Sequence, residues 1–217
     1  MIIAIDGPSG AGKGTIARTL AQQLGYRHID TGAMYRAVAW QSLREGISLG
    51  DEEAVAARAQ RAEIVVERGS VTIDGDDVTR AIRTPEIDRA ASAVARLPKV
   101  REVLVARQRE LGGGGGVVME GRDIGTVVFP DADVKIYLDA SEEERARRRV
   151  NDASHTGSQA GHAAVAEAIR ARDTADSTRT ASPLTMADDA IRIDTTSMPV
   201  MEVVDRVLAI VRNIRES

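Results

Sequence analysis

The sequence predicts an α/β fold in which a parallel sheet is covered by helices on both faces. Apolar runs alternate with helical stretches along most of the chain, and this alternation is typical of such a sheet. The first apolar run ends in Gly7–Thr15, which reads G-x-x-x-x-G-K and precedes a helical pattern. With 217 residues, 43% of them hydrophobic, the chain can form one substantial core with small inserted lobes.

The segment Gly7–Thr15 has the composition of a loop that wraps around a polyphosphate. Glycines permit positive-φ turns and a close backbone approach, and the amides of the following helix end face the anion. Lys13 adds a positive charge for the β- and γ-phosphates, and Thr15 can offer a hydroxyl to Mg²⁺. Gly14 is a departure, because the commonest pattern has Ser or Thr directly after the lysine. The alternative is a flexible connection between a strand and a helix.

Periodicity and capping signals predict the main elements. The candidate strands are Ile2–Ile5, Arg27–Ile29, Val117–Met119, Val134–Leu138 and Ile191–Ile193. The candidate helices run from about Lys13 to Leu24, from about Ala33 to Glu45, from Ser141 onward, and from about Pro199 to Ile214. Gly25 and Gly46 are placed to end the first two helices, and Ser141 with Glu144 has the spacing of a capping box.

Three regions break the alternation. Residues 63–80 hold short β-branched runs separated by Gly69-Ser70 and Gly75-Asp76, which indicates an antiparallel meander. Residues 152–162 are polar and lie between two arginine-rich helices, so both a mobile lid and a plain surface loop fit them. The run Gly112–Gly116 is interpreted as a flexible connector, because neither Lys nor Ser/Thr follows it.

Composition excludes several classes of function. The net charge of −4 gives no general attraction to nucleic acid or an anionic membrane, and only 2% of residues are aromatic. There is no cysteine, so disulfides, thiolate catalysis and zinc–thiolate sites are excluded. Because the chain opens directly into a strand and has no long apolar stretch, we expect a cytoplasmic protein without membrane partners. We also expect a monomer that acts on small molecules and has no nucleic-acid partner.

Polar residues follow two of the predicted strands, where ligands bind in open α/β sheets. Asp30 and Thr31 come after the second strand, and Arg36 follows in the next helix, where it could grip a phosphate. Helix capping alone would also explain Asp30 and Thr31. Arg122 and Asp123 come after the third strand, and a salt bridge between them is the alternative there.

Arginines are dense in two stretches, residues 145–149 and 170–179. Pairs with Glu142, Glu143 and Glu144 at helical spacing explain part of the first stretch. The remaining charges suit a lid that closes over a polyphosphate and excludes water. The three histidines, His28, His155 and His162, have no metal-ligand spacing; His28 is interpreted as strand filler, and none is given a catalytic role.

These motifs resemble those of the bacterial cytidylate kinase family. The string Gly121–Pro130 is far more specific than the glycine-rich loop, and the matching segments span nearly the whole chain. They are Ile5–Thr15, Asp30–Arg36, Ile82–Glu86, Ala91-Ser92, Val100–Glu102, Arg107–Arg109, Gly121–Pro130, Lys135–Ser141, Arg172-Asp173 and Pro183-Leu184. Glu120 stands where the family often has Asp.

The resemblance implies a P-loop NTPase core with a five-stranded parallel sheet flanked by helices. It adds an inserted small antiparallel β lobe for monophosphate binding and a helical lid. The core would comprise residues 1–62 and 82–217, with the lid at about 145–175. The inserted meander would be residues 63–81, in a CMP-binding lobe that extends to about residue 100.

The implied activity is the ATP-dependent phosphorylation of CMP and dCMP to CDP and dCDP in pyrimidine nucleotide metabolism, by direct Mg²⁺-assisted transfer. ATP phosphates are assigned to Gly7, Pro8, Ser9, Gly10, Ala11, Gly12, Lys13, Gly14 and Thr15. Substrate binding is assigned to Thr31, Tyr35, Arg36, Ser92, Arg101, Arg122, Asp123, Arg172, Asp176 and Arg179. Transfer is assigned to Lys13, Arg145, Arg148 and Arg149, and Mg²⁺ to Thr15 directly and to Asp30 through water.

The resemblance also assigns each of these substrate-binding residues to one part of the acceptor nucleotide. Arg36, Arg122 and Arg179 would hold the monophosphate, and Arg172 and Asp176 the ribose. Ser92, Arg101 and Asp123 would meet cytosine, and Tyr35 would form a wall of the pocket. Two other classes stay open: another small-molecule kinase of this architecture, acting on UMP, AMP or shikimate, and a non-catalytic regulator that binds ATP.

Overall fold

The computed structural model describes residues 1–67, 69–152 and 161–216. Its strands are β1 (Ile2–Asp6), β2 (Arg27–Asp30), β3 (Ile64–Glu67), β4 (Ser70–Ile73), β5 (Asp76–Asp77), β6 (Val117–Glu120), β7 (Val134–Asp139) and β8 (Ile191–Asp194). Five of them form a parallel sheet in the order β2-β6-β1-β7-β8. All five predicted strands are confirmed. Each extends one residue further than predicted, and the additional residue at its carboxyl end is acidic.

Among the described residues, eight α-helices accompany these strands. They are α1 (Lys13–Leu24), α2 (Thr31–Arg44), α3 (Glu52–Arg61), α4 (Pro85–Val94), α5 (Pro98–Gly112), α6 (Glu142–Val150), α7 (His162–Thr178) and α8 (Val200–Glu216). A π-helical turn spans Ile124–Val128. Among the helices of the described residues, none is long and apolar enough to span a membrane.

The three helices with two predicted bounds are confirmed within a few residues at each end, and α6 begins one residue after Ser141, where a helix start was predicted. Gly25 follows α1 with a left-handed φ of 67°, as its predicted capping role requires. Ser141 caps α6 by accepting a hydrogen bond from the Glu144 amide at 3.3 Å. The short helices α3 and α4 were not predicted, although Asp51 and Thr84 cap them with their side chains.

The main core fills both faces of the parallel sheet. On one face, Ile3 and Ile5 of β1 pack with α1 and α8. On the other, Ala4 of β1 and Met119 of β6 pack with Val105 of α5 and the π-helical turn. The central strands β1 and β6 are buried on both sides and therefore need apolar residues at successive positions, which is why their apolar runs predicted them well.

The predicted meander is present as a small antiparallel sheet, in the order β3-β4-β5. Gly69 and Gly75 take positive φ values at its two turns. Val71 and Ile73 of β4 are buried against α2. The sheet therefore lies over the helix that carries Arg36, while the division of the chain into a core and an inserted lobe stays a prediction.

The glycine run connects α5 to β6, as predicted, but two of its positions have specific demands. Gly112 is the last residue of α5, and a Cβ there would lie 2.4 Å from Cζ of Phe129. Gly115 has a positive φ, and a Cβ there would lie 3.0 Å from the Met1 nitrogen. The segment therefore allows the chain to turn in a confined space rather than acting only as a flexible spacer.

The helices assigned to the lid pack on each other through Ala146, Val165 and Ile169. Most of the polar segment predicted as a mobile lid or surface loop lies outside the described residues, since these omit 153–160. His155 falls in the omitted part as well.

Candidate active site

A cleft of about 1200 Å³ opens beyond the carboxyl ends of the parallel strands. Its volume exceeds the roughly 300–1,000 Å³ of a usual site for one small molecule. Residues from the glycine-rich loop, α2, the meander, α4, α6, α7 and the chain before α8 line it together. All ten predicted substrate residues line the cleft, as do Ser9–Thr15 of the loop.

The glycine-rich loop joins β1 to α1 with three positive-φ glycines, Gly7, Gly10 and Gly12. A Cβ at Gly7 would lie 2.0 Å from the Leu138 carbonyl oxygen, and one at Gly10 would lie 2.9 Å from Arg145. Gly12 is the N-cap of α1 and provides no side-chain hydrogen bond. The first amides of α1 are therefore left for an anion, as expected of a phosphate-binding helix end.

Lys13 is buried at the base of this loop, where its Nζ donates to the Pro8 carbonyl at 2.7 Å. Burial lowers the pKa of Lys13 well below its ordinary value, and the neighbouring Arg122 lowers it further. Phosphate oxygens beside the ammonium would favour its charged form again, because an opposite charge stabilises an ionised group.

Asp6 ends β1 and connects the loop to the Gly121–Pro130 string. Its two carboxylate oxygens accept hydrogen bonds from the amides of Ile124 and Gly125, at 2.9 and 2.7 Å. Burial raises the pKa of Asp6 to about 6, and these hydrogen bonds oppose the rise. The contact fixes the π-helical turn next to the loop, which explains how Asp123, the residue before the turn, reaches the cleft.

Glu120 explains the unusual glycine after Lys13. A Cβ at Gly14 would lie 3.3 Å from Oε1 of Glu120, so glycine leaves room for this carboxylate beside α1. The same oxygen is 2.9 Å from Nε2 of His28. The interpretation of His28 as strand filler missed this contact, because its partner lies 92 residues away in the sequence.

Asp30 caps α2 and also faces the cleft. One carboxylate oxygen accepts from the Ala33 amide at 3.0 Å, and the other lies 3.0 Å from Nη2 of Arg83. Burial raises the pKa of Asp30, but Arg36 and Arg83 outweigh burial and bring it to about 2. The capping alternative is thus confirmed for Asp30, whereas Thr31 donates to the Glu120 carbonyl at 2.8 Å.

The far end of the cleft holds paired arginines and carboxylates. Asp123 accepts a hydrogen bond from Arg101, and Nη2 of Arg179 lies 3.7 Å from its other oxygen. Nε of Arg122 donates to Asp176 at 2.9 Å. The alternative of a salt bridge between Arg122 and Asp123 is wrong, since each pairs with a different residue.

Several polar atoms at this end are buried without a hydrogen-bond partner in the described structure. They are Oη of Tyr35, Nε of Arg101, Nε of Arg172 and Nη2 of Arg179. Burial raises the pKa of Tyr35 to about 12, so its phenol keeps its proton near neutral pH. All four residues line the cleft, and a polar ligand that reached these atoms would relieve the cost of burying them without hydrogen bonds.

Asp88 was missed by the sequence analysis. It lies in the first turn of α4, and its carboxylate contacts Arg36 of α2, Arg149 of α6 and Arg172 of α7. Thr84-Pro85 could have signalled the start of α4, but nothing in the local sequence indicates these distant partners.

The predicted lid arginines differ in position. Arg145 is buried and donates to the carbonyls of Ala140 and Ser9, at 3.0 and 3.1 Å, and it also pairs with Asp173. It does not line the cleft, whereas Arg148 and Arg149 do. The ion-pair alternative is confirmed in part, because Glu144 accepts from both Arg147 and Arg148.

A second missed region is the chain between β8 and α8. Thr195 donates to the Ala11 carbonyl at 3.2 Å and accepts from Arg148 at 3.0 Å. Met198, Pro199 and Val200 continue the cleft wall from there. This wall contacts the glycine-rich loop through Thr195, and its sequence carries no recognisable motif.

Comparison with known proteins identifies close relatives. The model of the family described as cytidylate kinase matches residues 3–213. The cytidylate kinase of Desulfitobacterium hafniense (strain Y51) is 53% identical over 211 residues, covering 96% of this chain and 91% of that protein. The cytidylate kinase of Caldanaerobacter subterraneus subsp. tengcongensis is 50% identical over 210 residues, covering 97% and 94%.

Solved structures with low sequence identity share the architecture. A shikimate kinase from Bacteroides thetaiotaomicron superposes with a TM-score of 0.54 at 11% identity, covering 98% of both chains. A gluconokinase from Sinorhizobium meliloti 1021 gives 0.50 at 16% identity, covering 99% of this chain and 93% of its own. At such identities the likeness shows the fold alone.

Proposed function

The chain belongs to the cytidylate kinase family, and from this we propose how its cleft divides the transfer of a phosphoryl group from ATP to CMP or dCMP. One observation carries the proposal: a phosphate-binding loop and an arginine–carboxylate cluster share one cleft. We propose that ATP and the monophosphate lie end to end between them. Since one chain supplies both the donor end and the acceptor end of the cleft, we propose that the protein acts as a monomer. We also propose that it works in the cytoplasm.

The donor phosphates are assigned to the loop Ser9–Thr15. Its glycines bring main-chain amides against the phosphates, and Lys13 supplies the adjacent charge. Gly7 and Pro8 do not line the cleft, so their role is to shape the loop. The donor base is assigned to the wall formed by Arg148, Thr195 and Met198–Val200, because it adjoins the loop and is partly apolar.

The residues present fit an Mg²⁺ ion that is shared with the phosphates. Thr15 is exposed on the first turn of α1, and the Glu120 carboxylate lies beside Gly14. Mg²⁺ commonly uses one or two protein ligands, waters and substrate phosphates, which agrees with the lack of any cluster of three His, Asp or Glu among the described residues. We assign Thr15 as a direct ligand and Asp30 as a ligand through water. The ion would neutralise phosphate charge.

Asp123 and Arg101 are assigned to the cytosine ring. The carboxylate can accept from the exocyclic amine, and the guanidinium can donate to the ring acceptors. Uracil has a carbonyl where cytosine has the amine, and an unmatched buried polar group costs about 1–3 kcal/mol. We therefore expect CMP to be preferred to UMP. Ser92 also lines the cleft, and we assign it to the same base site.

The rest of the acceptor nucleotide is assigned to the remaining arginines. We place the monophosphate against Arg36, Arg122 and Arg179, and the ribose against Arg172 and Asp176, with Tyr35 as a wall. Burial lowers the pKa of Arg172 to about 10, helped by Arg122 and Arg36. It therefore stays charged at neutral pH and can donate to a sugar or phosphate oxygen.

The proposed transfer needs no nucleophilic side chain. An oxygen of the CMP phosphate attacks the γ-phosphorus of ATP, the bond to the β,γ-bridging oxygen breaks, and ADP leaves with that bond's electron pair. Lys13, Arg148 and Arg149 stabilise the charge on the migrating group, so catalysis consists of positioning and electrostatics. Because Arg145 is buried away from the cleft, its proposed role is to hold the loop through Ser9.

Coupled measurement of ADP release tests the proposal, with CMP, dCMP, UMP and AMP offered in parallel. We expect rapid turnover of CMP and dCMP and slower turnover of UMP. Equal rates for CMP and UMP would contradict the base assignment. ADP release that does not depend on CMP would contradict the proposed acceptor.

A further inference from the structure

Asp88 brings together arginines from three separate elements. Nε of Arg36 lies 3.0 Å from one carboxylate oxygen and Nη1 of Arg172 lies 3.5 Å from the same oxygen, while Arg149 donates to the other. We call Asp88 with these three arginines the arginine latch. All three arginines line the cleft, and Asp88 is only 16% exposed.

The latch combines arginines with three different proposed tasks. Arg36 is assigned to the monophosphate, Arg149 to the migrating group and Arg172 to the ribose. A carboxylate offers two anionic oxygens in a plane, and arginine binds carboxylate and phosphate through the same paired donors. Asp88 therefore occupies the donors that a bound nucleotide would need.

Charge considerations explain why such a residue is useful. Burial lowers the pKa of Arg149 and Arg172, and like charges nearby add to this effect. Three clustered guanidinium groups would repel one another, and a single carboxylate between them relieves that repulsion. The ordinary alternative is a structural salt bridge that stays closed throughout the reaction.

We propose that Asp88 acts as an internal stand-in for substrate phosphate: it holds Arg36, Arg149 and Arg172 together before substrate binds and gives up its contacts when the acceptor phosphate arrives. The inference rests on the proposed function, because it takes CMP as the displacing ligand. Asp88 is a positioning residue in this scheme, and it competes with the substrate that it prepares for.

Asp88→Asn tests the latch because it keeps the shape of the side chain but removes its charge. Competition predicts tighter binding: if about nine-tenths of the free protein holds the latch closed, the Kd for CMP should fall about tenfold in the variant. The affinity of the variant should also decline more steeply with NaCl, since the cluster gains net positive charge. Cytidine lacks the phosphate and meets only Arg172 of the three latch arginines, so its Kd should fall less than that of CMP. Isothermal titration calorimetry measures the Kd for CMP, its dependence on NaCl and the Kd for cytidine.

Glu86→Gln is the matched control. Glu86 lies in the same first turn of α4 but is exposed, so this variant has the same change in charge and in helix-end electrostatics. Its CMP affinity should match that of the unaltered chain. If Asp88→Asn binds CMP as weakly as the unaltered chain, or more weakly, the carboxylate is a structural partner and the latch is wrong.

The unaltered chain offers an independent test, which also applies if Asp88→Asn does not fold. In an arginine side-chain NMR spectrum, CMP should shift the Nε–Hε signal of Arg36, whereas cytidine should leave it in place. Equal shifts with both ligands would overturn the latch. Failure of the proposed function looks different, because CMP would then neither bind nor stimulate ADP release.

Discussion

At the proposed donor end of the cleft, one contiguous segment supplies the first main-chain amides of α1, whereas at the proposed acceptor end the cleft is lined by side chains from distant segments. The donor loop leaves the first amides of α1 without a side-chain cap. The acceptor end pairs most of its charges internally, as in the contacts of Asp123 with Arg101 and Arg122 with Asp176. A ligand therefore adds interactions at the first end and exchanges them at the second.

The difference has an energetic consequence. Backbone amides are fixed by the fold and need little reorganisation, so the donor end is ready before ATP arrives. Charged side chains must exchange one partner for another, and the net gain is the difference between two similar interactions. We expect substitutions at the donor end to affect turnover or the KM for ATP, and those at the acceptor end to affect the affinity and selectivity for the acceptor.

The largest expected effect is at Lys13, the one charged side chain of the donor loop. Lys13→Ala should lower kcat by roughly 100-fold or more, because a preorganised charge on the migrating phosphoryl group is lost. Single-turnover measurement with saturating ATP and CMP tests this. Lys99→Ala, on the exposed side of α5, is the control and should retain full activity. Near-normal turnover in Lys13→Ala would remove this lysine from the mechanism.

At the acceptor end, Asp123→Asn should reduce selectivity rather than abolish turnover. The amide can donate to the uracil carbonyl, so the ratio of kcat/KM for CMP to that for UMP should fall, by about 5- to 150-fold. The ratio corrects for any general loss of activity caused by disturbing Arg101. A ratio equal to that of the unaltered chain would contradict the role of Asp123 in reading the base.

The pH dependence of the free energy of unfolding tests the ion pairs that Asp30 forms with neighbouring arginines. Its pKa of about 2 lies below the ordinary 3.8, so its ionised form stabilises the folded state. That stabilisation, about 2 kcal/mol, is complete above the ordinary value and is lost as the pH falls through the folded value. Asp30→Asn should therefore lower the free energy of unfolding at pH 7, and the deficit should vanish near pH 2.

Asp51→Asn provides the control for this pH effect. Asp51 makes the same capping contact on α3, to the Ala54 amide at 3.0 Å, but at an exposed position. Asparagine caps helices about as well as aspartate, so both substitutions keep the cap. Denaturation series between pH 2 and pH 7 should show a pH-dependent deficit for Asp30→Asn alone. A deficit that does not change with pH would contradict the ion-pair explanation.

The smallest expected effect is at Gly10, where a substitution tests whether ATP binding depends on the backbone conformation of the donor loop. Gly10→Ala should raise the KM for ATP about tenfold and leave the KM for CMP unchanged, because a positive φ costs an L-residue about 1 kcal/mol and Arg145 is too close. Gly25→Ala is the matched control, since Gly25 also has a positive φ but nothing lies within 4 Å of its added Cβ. It should lower stability without changing either KM.

The donor and acceptor ends also differ in how far they could be predicted from the sequence. The donor loop and the five strands are contiguous patterns, so periodicity and spacing predicted them to within one residue. Asp88 and Arg145 act through residues 52 and 136 positions away, and no local signal indicates such contacts. The roles of Arg101 and Asp123 came only from the family resemblance, because their mutual contact depends on how α5 meets the π-helical turn.

Local signals were also underused. Asp51 and Thr84-Pro85 are ordinary helix starts, and α4 buries Ile87, Ala90, Ala91 and Val94 at helical spacing, so a local signal for it is present in the sequence. The meander was easier, because its glycine turns interrupt β-branched runs. Physical interpretation of a sequence is thus strongest where neighbours along the chain are also neighbours in space.

The backbone of Ser9 is held by two side chains, since its carbonyl accepts from Arg145 and its amide donates to Asp173, each at 3.1 Å. Arg145 belongs to α6 and Asp173 to α7, so both helices are tethered to the loop at a single point. Any swing of these helices that breaks the tether must also release the loop. A pivot for opening and closing would therefore have to lie beyond this anchor, towards the end of α6 that carries Arg148 and Arg149.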